Sequence, residues 1–207
     1  MQILNYFILM KKYIFILLYL SIFFSCQDNI NKEISEKMRL DGYSGLGTYV
    51  YANGDIYIGE FIDGKENIQG SYTYINGDEY IGEVKDNRPN GNGTYSYTNG
   101  NKYVGEFIEG SFNGNGTLLF ANGTVYKGEF KDGIRNGVGV YTSSTGDIYE
   151  GENKDNMMHG IGTYTSFLGN VYQGGWEYDK MHGEGMFITL DKDTIKGEWN
   201  EGNFIEE

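Results

Sequence analysis

The sequence predicts an all-β fold: an elongated, single-layer antiparallel β-hairpin solenoid of 23-residue repeats. Three observations predict it. Tyr57, Tyr80, Tyr103, Tyr126, Tyr149, Tyr172 and Ile195 stand 23 residues apart without insertion, each opening a version of Tyr-x-Gly-Glu-Phe. Within a unit, two alternating runs flank Asn-Gly or a similar pair, the pattern of a hairpin. The 207 residues hold 32 Gly, 19 Tyr and 12 Phe against one Pro and one Cys. Glycine without proline, beside 16% aromatics, excludes collagen and a disordered tail.

In chain order, residues 1–26 read as a lipoprotein-like signal peptide. Lys11 and Lys12 precede the apolar run Tyr13 to Phe24, and Ser25-Cys26 follow it, the order of charged, apolar and small-residue regions in a secretory leader. The run is short of the ~20 residues that span a bilayer. Cys26 stands where a lipobox would place its lipidated cysteine, with Ser25 suited to the position before it and Phe23 where Leu is usual. This predicts lipidation at Cys26 and a bacterial envelope protein anchored to the membrane. The apolar residues before the lysines suit a start at Met10 as well as at Met1. Ordinary secretion is one alternative. The other is an uncleaved anchor helix from Ile3 to Phe24, whose two lysines would each cost ~2.5–3.5 kcal/mol at bilayer depth.

Residues 27–42 are polar, mixed in charge and read as a tether. Residues 43–204 form the repeat body: six full units from Tyr57 with partial units at the ends, and 205–207 are a tail. Gly91/Gly93, Gly114/Gly116, Gly137/Gly139, Gly160/Gly162 and Gly183/Gly185 recur as pairs. Tyr95, Leu118, Tyr141, Tyr164 or Phe187 follows two residues later, and Gly77, Gly100, Gly123, Gly146 or Gly169 closes a copy. Departures fall near the ends, where terminal repeats are atypical: Ile68 replaces a pair glycine, Gly175 the recurrent Glu and Lys192 the turn Gly.

These residues resemble the MORN (membrane occupation and recognition nexus) repeat family, whose unit is about 23 residues. The structural anchors of that resemblance are Tyr57, Gly59, Phe61, Tyr80, Gly82, Tyr103, Gly105, Phe107, Tyr126, Gly128, Phe130, Tyr149, Gly151, Tyr172, Gly174, Trp176, Gly197 and Trp199. The resemblance implies interaction with proteins or membranes. Similar repeats are fused to plant phosphatidylinositol phosphate kinases, but residues 43–204 leave no room for a kinase domain, and no phosphotransfer is expected.

Alternation sets the faces. Tyr103, Gly105 and Phe107 point to one side, Val104 and Glu106 to the other. A two-residue turn at Asn99-Gly100 would set Ser96 opposite Tyr103. A three-residue loop, Thr98-Asn99-Gly100, sets Tyr95 opposite Tyr103 and Gly93 opposite Gly105, uniting the rings on one face. A one-residue slip reverses a strand's facing, so the three-residue loop with Gly100 left-handed is predicted. Each buried ring then contributes about 1.5–3 kcal/mol. Pro89 is expected in the loop between hairpins, where no ladder bond is lost.

The chemistry-bearing residues favour structure over catalysis. Glu60, Glu83, Glu106, Glu129, Glu152 and Glu198 form a row expected ~10 Å apart on the face away from the rings, a solvated acidic ridge. Paired catalytic carboxylates need closer, specific separations of ~5–9.5 Å. His159 and His182, each before a glycine, read as structural, and no metal or cofactor is expected. No nucleophile elbow, phosphate loop or dinucleotide fingerprint is present.

Net charge is −13, and without residues 1–26 the chain holds 14 basic against 29 acidic residues, −15. That disfavours nucleic acid and anionic headgroups as partners of the repeats. The expected function is a non-enzymatic, membrane-tethered scaffold for protein–protein interaction or self-assembly. Terminal edges at Tyr43 to Tyr51 and Ile195 to Phe204 are available for end-to-end association. The alternative is a cell-wall glycan or lipid-binding module with Trp176 or Trp199 as stacking platforms; an unrecognised hydrolase is a second, weaker alternative.

Overall fold

The computed structural model describes residues 39–205. Cys26 and the leader lie outside them. Fifteen strands form one antiparallel sheet: β1 (Gly45–Val50), β2 (Ile56–Ile62), β3 (Lys65–Thr73), β4 (Glu79–Lys85), β5 (Arg88–Ser96), β6 (Lys102–Ile108), β7 (Ser111–Leu119) and β8 (Val125–Lys131). The sheet continues through β9 (Ile134–Thr142), β10 (Ile148–Lys154), β11 (Met157–Thr165), β12 (Val171–Glu177), β13 (Lys180–Ile188), β14 (Thr194–Asn200) and β15 (Asn203–Phe204). Every strand pairs with its sequence neighbours, in order from first to last.

Two kinds of turn alternate. Tyr95 lies opposite Tyr103 and Gly93 opposite Gly105. Tyr97 N donates to Asn101 O at 2.9 Å and Gly100 N to Tyr97 O at 3.0 Å, with Gly100 at φ +89°. This is the predicted three-residue loop with a left-handed glycine. Lys192 takes the same backbone form at φ +73°. The other turn has two residues, both with positive φ, as at Asp86-Asn87 between Lys85 and Arg88. That is the mirror-image turn whose twist suits a tight hairpin.

Both rims are sewn across repeats. The residue after the loop glycine reaches forward to the next loop: Asp78 Oδ1 accepts from Thr98 N at 2.8 Å, and Asp147 Oδ1 from Phe167 N at 3.0 Å. On the opposite rim, Gly110 N donates to Pro89 O at 2.9 Å. Exposed ion pairs, Lys65–Asp86, Arg88–Glu109 and Lys180–Glu201, repeat the same step.

Pro89 is inside β5, opposite Val84, not in a loop. Its ring still breaks no ladder. The equivalent N–H groups of Glu66, Arg135 and Met158 bond to side chains of Asn87, Asn156 and Asp179 in the next turn. After Pro89 that turn position is Gly110, which has no side-chain acceptor to leave unpaired.

The terminal edges differ from expectation. At the C-terminal end β15 pairs with Trp199 and Asn200, and Ile205 N donates to Glu198 O at 2.9 Å, so half of β14's outer edge is already covered. Among the described residues β1 pairs only with β2.

A single sheet cannot bury side chains between layers, so the rings bury one another and the backbone. Tyr57, Tyr80, Tyr103 and Tyr126 are 0% exposed. Each ring lies over paired glycines: a Cβ on Gly105 would stand 2.5 Å from Gly116 Cα and 2.6 Å from Tyr103 Oη. The hydroxyl then donates to a carbonyl three residues on, Tyr80 to Glu83 O at 2.6 Å and Tyr103 to Glu106 O at 3.0 Å. The step recurs in all six full units. Tyr80 meets Phe107 and Tyr103 meets Phe130 edge-to-face at 5.0 Å, coupling consecutive repeats.

Candidate functional site

The face that gathers the rings also carries strong departures from repetition. Along it, the second residue after each two-residue turn forms a row: Glu66, Pro89, Phe112, Arg135, Met158, Met181, Phe204. Geometry is shared along the row, and chemistry is not.

At the N-terminal end, Glu66 is 0% exposed. Tyr51 Oη donates to both of its carboxylate oxygens at 2.7 Å, and Tyr72 Oη to Oε2 at 2.5 Å. Burial pushes its carboxyl above the usual glutamic range, against the lowering effect of those bonds and of Arg39. Arg39 lies over the Tyr49 ring, 4.6 Å from its centroid, so the end of the polar segment before the repeats is docked on this face.

In the middle the ring ladder breaks. Phe61, Phe107, Phe130, Trp176 and Trp199 hold the fifth position of their motifs, Val84 another, but between Phe130 and Trp176 that place falls to Asn153. Asn153 is buried, and its amide donates to Gly151 O at 3.2 Å. The apolar core accordingly divides into two clusters, one ending at Phe130 and one starting at Tyr149. Arg135 occupies the break, its guanidinium 5.3 Å from the Tyr126 centroid and 5.6 Å from that of Tyr141. The adjoining depression, about 250 Å³, is lined by Arg135, Tyr141, Asn153, Asn156, Met158 and Asp179.

Beyond the break, an apolar groove of about 390 Å³ runs along Met158, Tyr164, Trp176, Met181 and Phe187. It shares Met158 and Asp179 with the depression at Arg135.

The remaining expected features sort as follows. The acidic row is on the face away from the rings, but it is not a simply solvated ridge. Two extra residues bulge from the strand opposite Glu83, Glu106 and Glu152, and there the carboxylate closes the gap. Glu83 Oε1 accepts from Asn92 N at 2.8 Å, Glu106 from Asn115 N at 2.8 Å and Glu152 from Ile161 N at 3.1 Å. These bonds hold the exposed Glu83 carboxyl below its usual range.

Trp176 and Trp199 are 8% and 7% exposed, packed edge-on against Tyr172, so they are not open stacking platforms. His159 lies edge-on to Tyr178, and His182 Nε2 is 3.4 Å from Glu177 Oε2. Among the described residues, no three His, Cys, Asp or Glu side chains gather closely enough for a metal ion, and no helix is long and apolar enough to cross a membrane. Glu66 was missed at the sequence level because its row has no repeating residue type. Asn153 was visible as the break in Tyr149-Glu150-Gly151-Glu152-Asn153.

An array of hairpins in one sheet, with tyrosines laid over glycine pairs, defines a β-hairpin repeat protein. The MORN repeat pattern matches residues 41–56, 57–79, 80–102, 103–125, 126–148, 149–167 and 172–193. The chain belongs to the MORN repeat family. No curated protein sequence matches it.

Among solved structures, the TCP10 domain of CPAP from Danio rerio aligns at 14% identity and TM-score 0.28, covering 74% of this chain and 83% of that one. A streptogramin B lyase aligns at 12% and 0.20, covering 74% and 68%. Virginiamycin B lyase from Staphylococcus aureus with quinupristin aligns at 11% and 0.19, covering 77% and 57%. At those scores the likenesses carry no inference.

Proposed function

We propose that this protein is a non-enzymatic repeat scaffold, tethered at a bacterial envelope membrane through Cys26, whose ring-bearing face docks a protein partner. Repeats of this family are in general protein- and membrane-interaction modules. The observation that supports docking here is the groove of Met158, Tyr164, Trp176, Met181 and Phe187. Its unbranched methionines adapt to a partner's shape, and its rings supply contact area at low entropic cost. Membrane contact is assigned to the lipidated N-terminus because the repeats carry a strong negative charge. Self-association through the exposed edge of β1 is a second route to assembly.

Two experiments test this. Cys26→Ala should move the protein from the membrane fraction to the soluble one; continued membrane retention would overturn the lipid tether. Met158→Asp with Met181→Asp should abolish partner capture by the full chain while its melting temperature stays within a few degrees. Undiminished capture would exclude the groove as the docking site.

A further inference from the structure

We propose that the break in the ring ladder is a carboxylate-binding subsite, where Arg135 receives an acidic side chain of an extended peptide whose apolar side chains fill the neighbouring groove. The inference rests on the docking role given above to the ring-bearing face, and it names the chemistry of the occupant.

Four observations carry it. Arg135 is half-buried on a protein of net charge −13, yet it has no ion-pair partner among the described residues. The hydrogen bonds recorded for its guanidinium reach only the Asn156 carbonyl, which leaves most of its five N–H groups available. The tyrosines on either side hold the group by cation–π contact without neutralising it. Finally, Asn153 stands where most other repeats carry a ring, leaving a polar-walled depression of about 250 Å³.

A planar guanidinium in such surroundings favours a carboxylate, which it can hold through two parallel bonds. The depression opens into the apolar groove past Met158 and Asp179, whose carboxylate is engaged by Met158 N through Oδ1 at 2.7 Å. Successive repeats are ~10 Å apart, two strand spacings. An extended peptide advances ~6.6 Å for every two residues. A carboxylate on Arg135 therefore sets the side chain two residues away beside Met158 and the one four residues away, ~13 Å on, beside Trp176, three strands from Arg135. The occupant is an acidic residue flanked at those spacings by large apolar ones.

The chain has two tryptophans, Trp176 in the groove and Trp199 beyond it, so fluorotryptophan labelling of the full chain gives two fluorine signals, assigned with Trp199→Phe. The probe is acetyl-Phe-Ser-Leu-Ser-Glu-Ser-Leu-Ser-Phe-amide, apolar on both sides so that either chain direction can bind. Its control has Gln for Glu. The Glu peptide should shift the Trp176 signal and bind about tenfold tighter than the Gln peptide, the size of one charge-assisted pair. Arg135→Met, which installs the residue found in the next two repeats, should make the two peptides equal. Asn153→Phe should do the same by filling the break.

Equal binding of both peptides to the unaltered chain, or a Glu preference that survives in Arg135→Met, overturns the carboxylate subsite and leaves the groove standing. No movement of Trp176 with either peptide overturns the groove as a docking face, and the subsite with it.

Discussion

Ile68 sits at φ +63°, a left-handed conformation that a β-branched residue rarely adopts. The equivalent positions are Gly91, Gly114, Gly137, Gly160 and Gly183, at φ +58 to +107°. The side chain also has a local cost. At Gly114 a Cβ would stand 2.6 Å from the Glu106 carboxylate that closes the bulge, and no such closing bond is recorded for Glu60. Ile68→Gly should relieve that strain and stabilise the protein by about 1 kcal/mol, read as a higher urea midpoint at unchanged slope.

Glu66 makes the second prediction at this scale. Its carboxyl is raised in the fold, whereas in an unfolded chain it titrates near ~4.3. Between those values the folded state holds a proton that the unfolded state has lost, so acidification favours folding there. The contribution is complete below the unfolded value and lost as pH rises through the folded one. The melting temperature of the unaltered protein should therefore rise relative to Glu66→Gln as pH falls from neutrality towards about 4.5. A constant difference across that window would show that Glu66 is ionised in the fold.

At the scale of the element, the hairpin depends on contact between backbones. Gly105 and Gly116 are cross-strand partners, and a Cβ on either would meet the other strand or the Tyr103 ring. Gly105→Ala should cost about 3 kcal/mol, because neither ring nor strand can retreat; a change below 1 kcal/mol would mean that the ring is loosely held.

This is also where the sequence was most legible. Anchors at a constant period, together with the need to unite Tyr95 and Tyr103, specified register, facing and loop length. The two-residue turns were not legible, because Asp86-Asn87, Glu109-Gly110 and Tyr178-Asp179 share a backbone form but no residue pattern. Pro89 was misplaced for that reason. The carboxylate latches escaped too: alternation places Glu106 on the outer face, but only the bulge turns it back onto Asn115 N.

At the scale of the molecule, the candidate site was less legible than the fold. Repetition announces what all units share, whereas Glu66, Arg135 and Asn153 act through what one unit lacks. Their meaning depends on which residues of neighbouring repeats stand beside them, and that follows only once the register is known. The ring ladder's division at Asn153 separates an N-terminal cluster built on Tyr and Phe from a C-terminal one built on Tyr, Trp and Met.

Because strand order in the sheet equals strand order in the chain, the two ends of the repeat body lie at opposite edges of the sheet. A load applied between them pulls along the hydrogen bonds and peels strands away singly, rather than shearing many bonds together. A protein held by its N-terminus and pulled by a cargo at its far end would then yield as an extensible spring. In single-molecule stretching, each 23-residue unit should release about 70 Å of slack, its extended length less two strand spacings. The releases should come as a series of small, similar steps, and one abrupt high-force rupture of the whole sheet would contradict the peeling geometry.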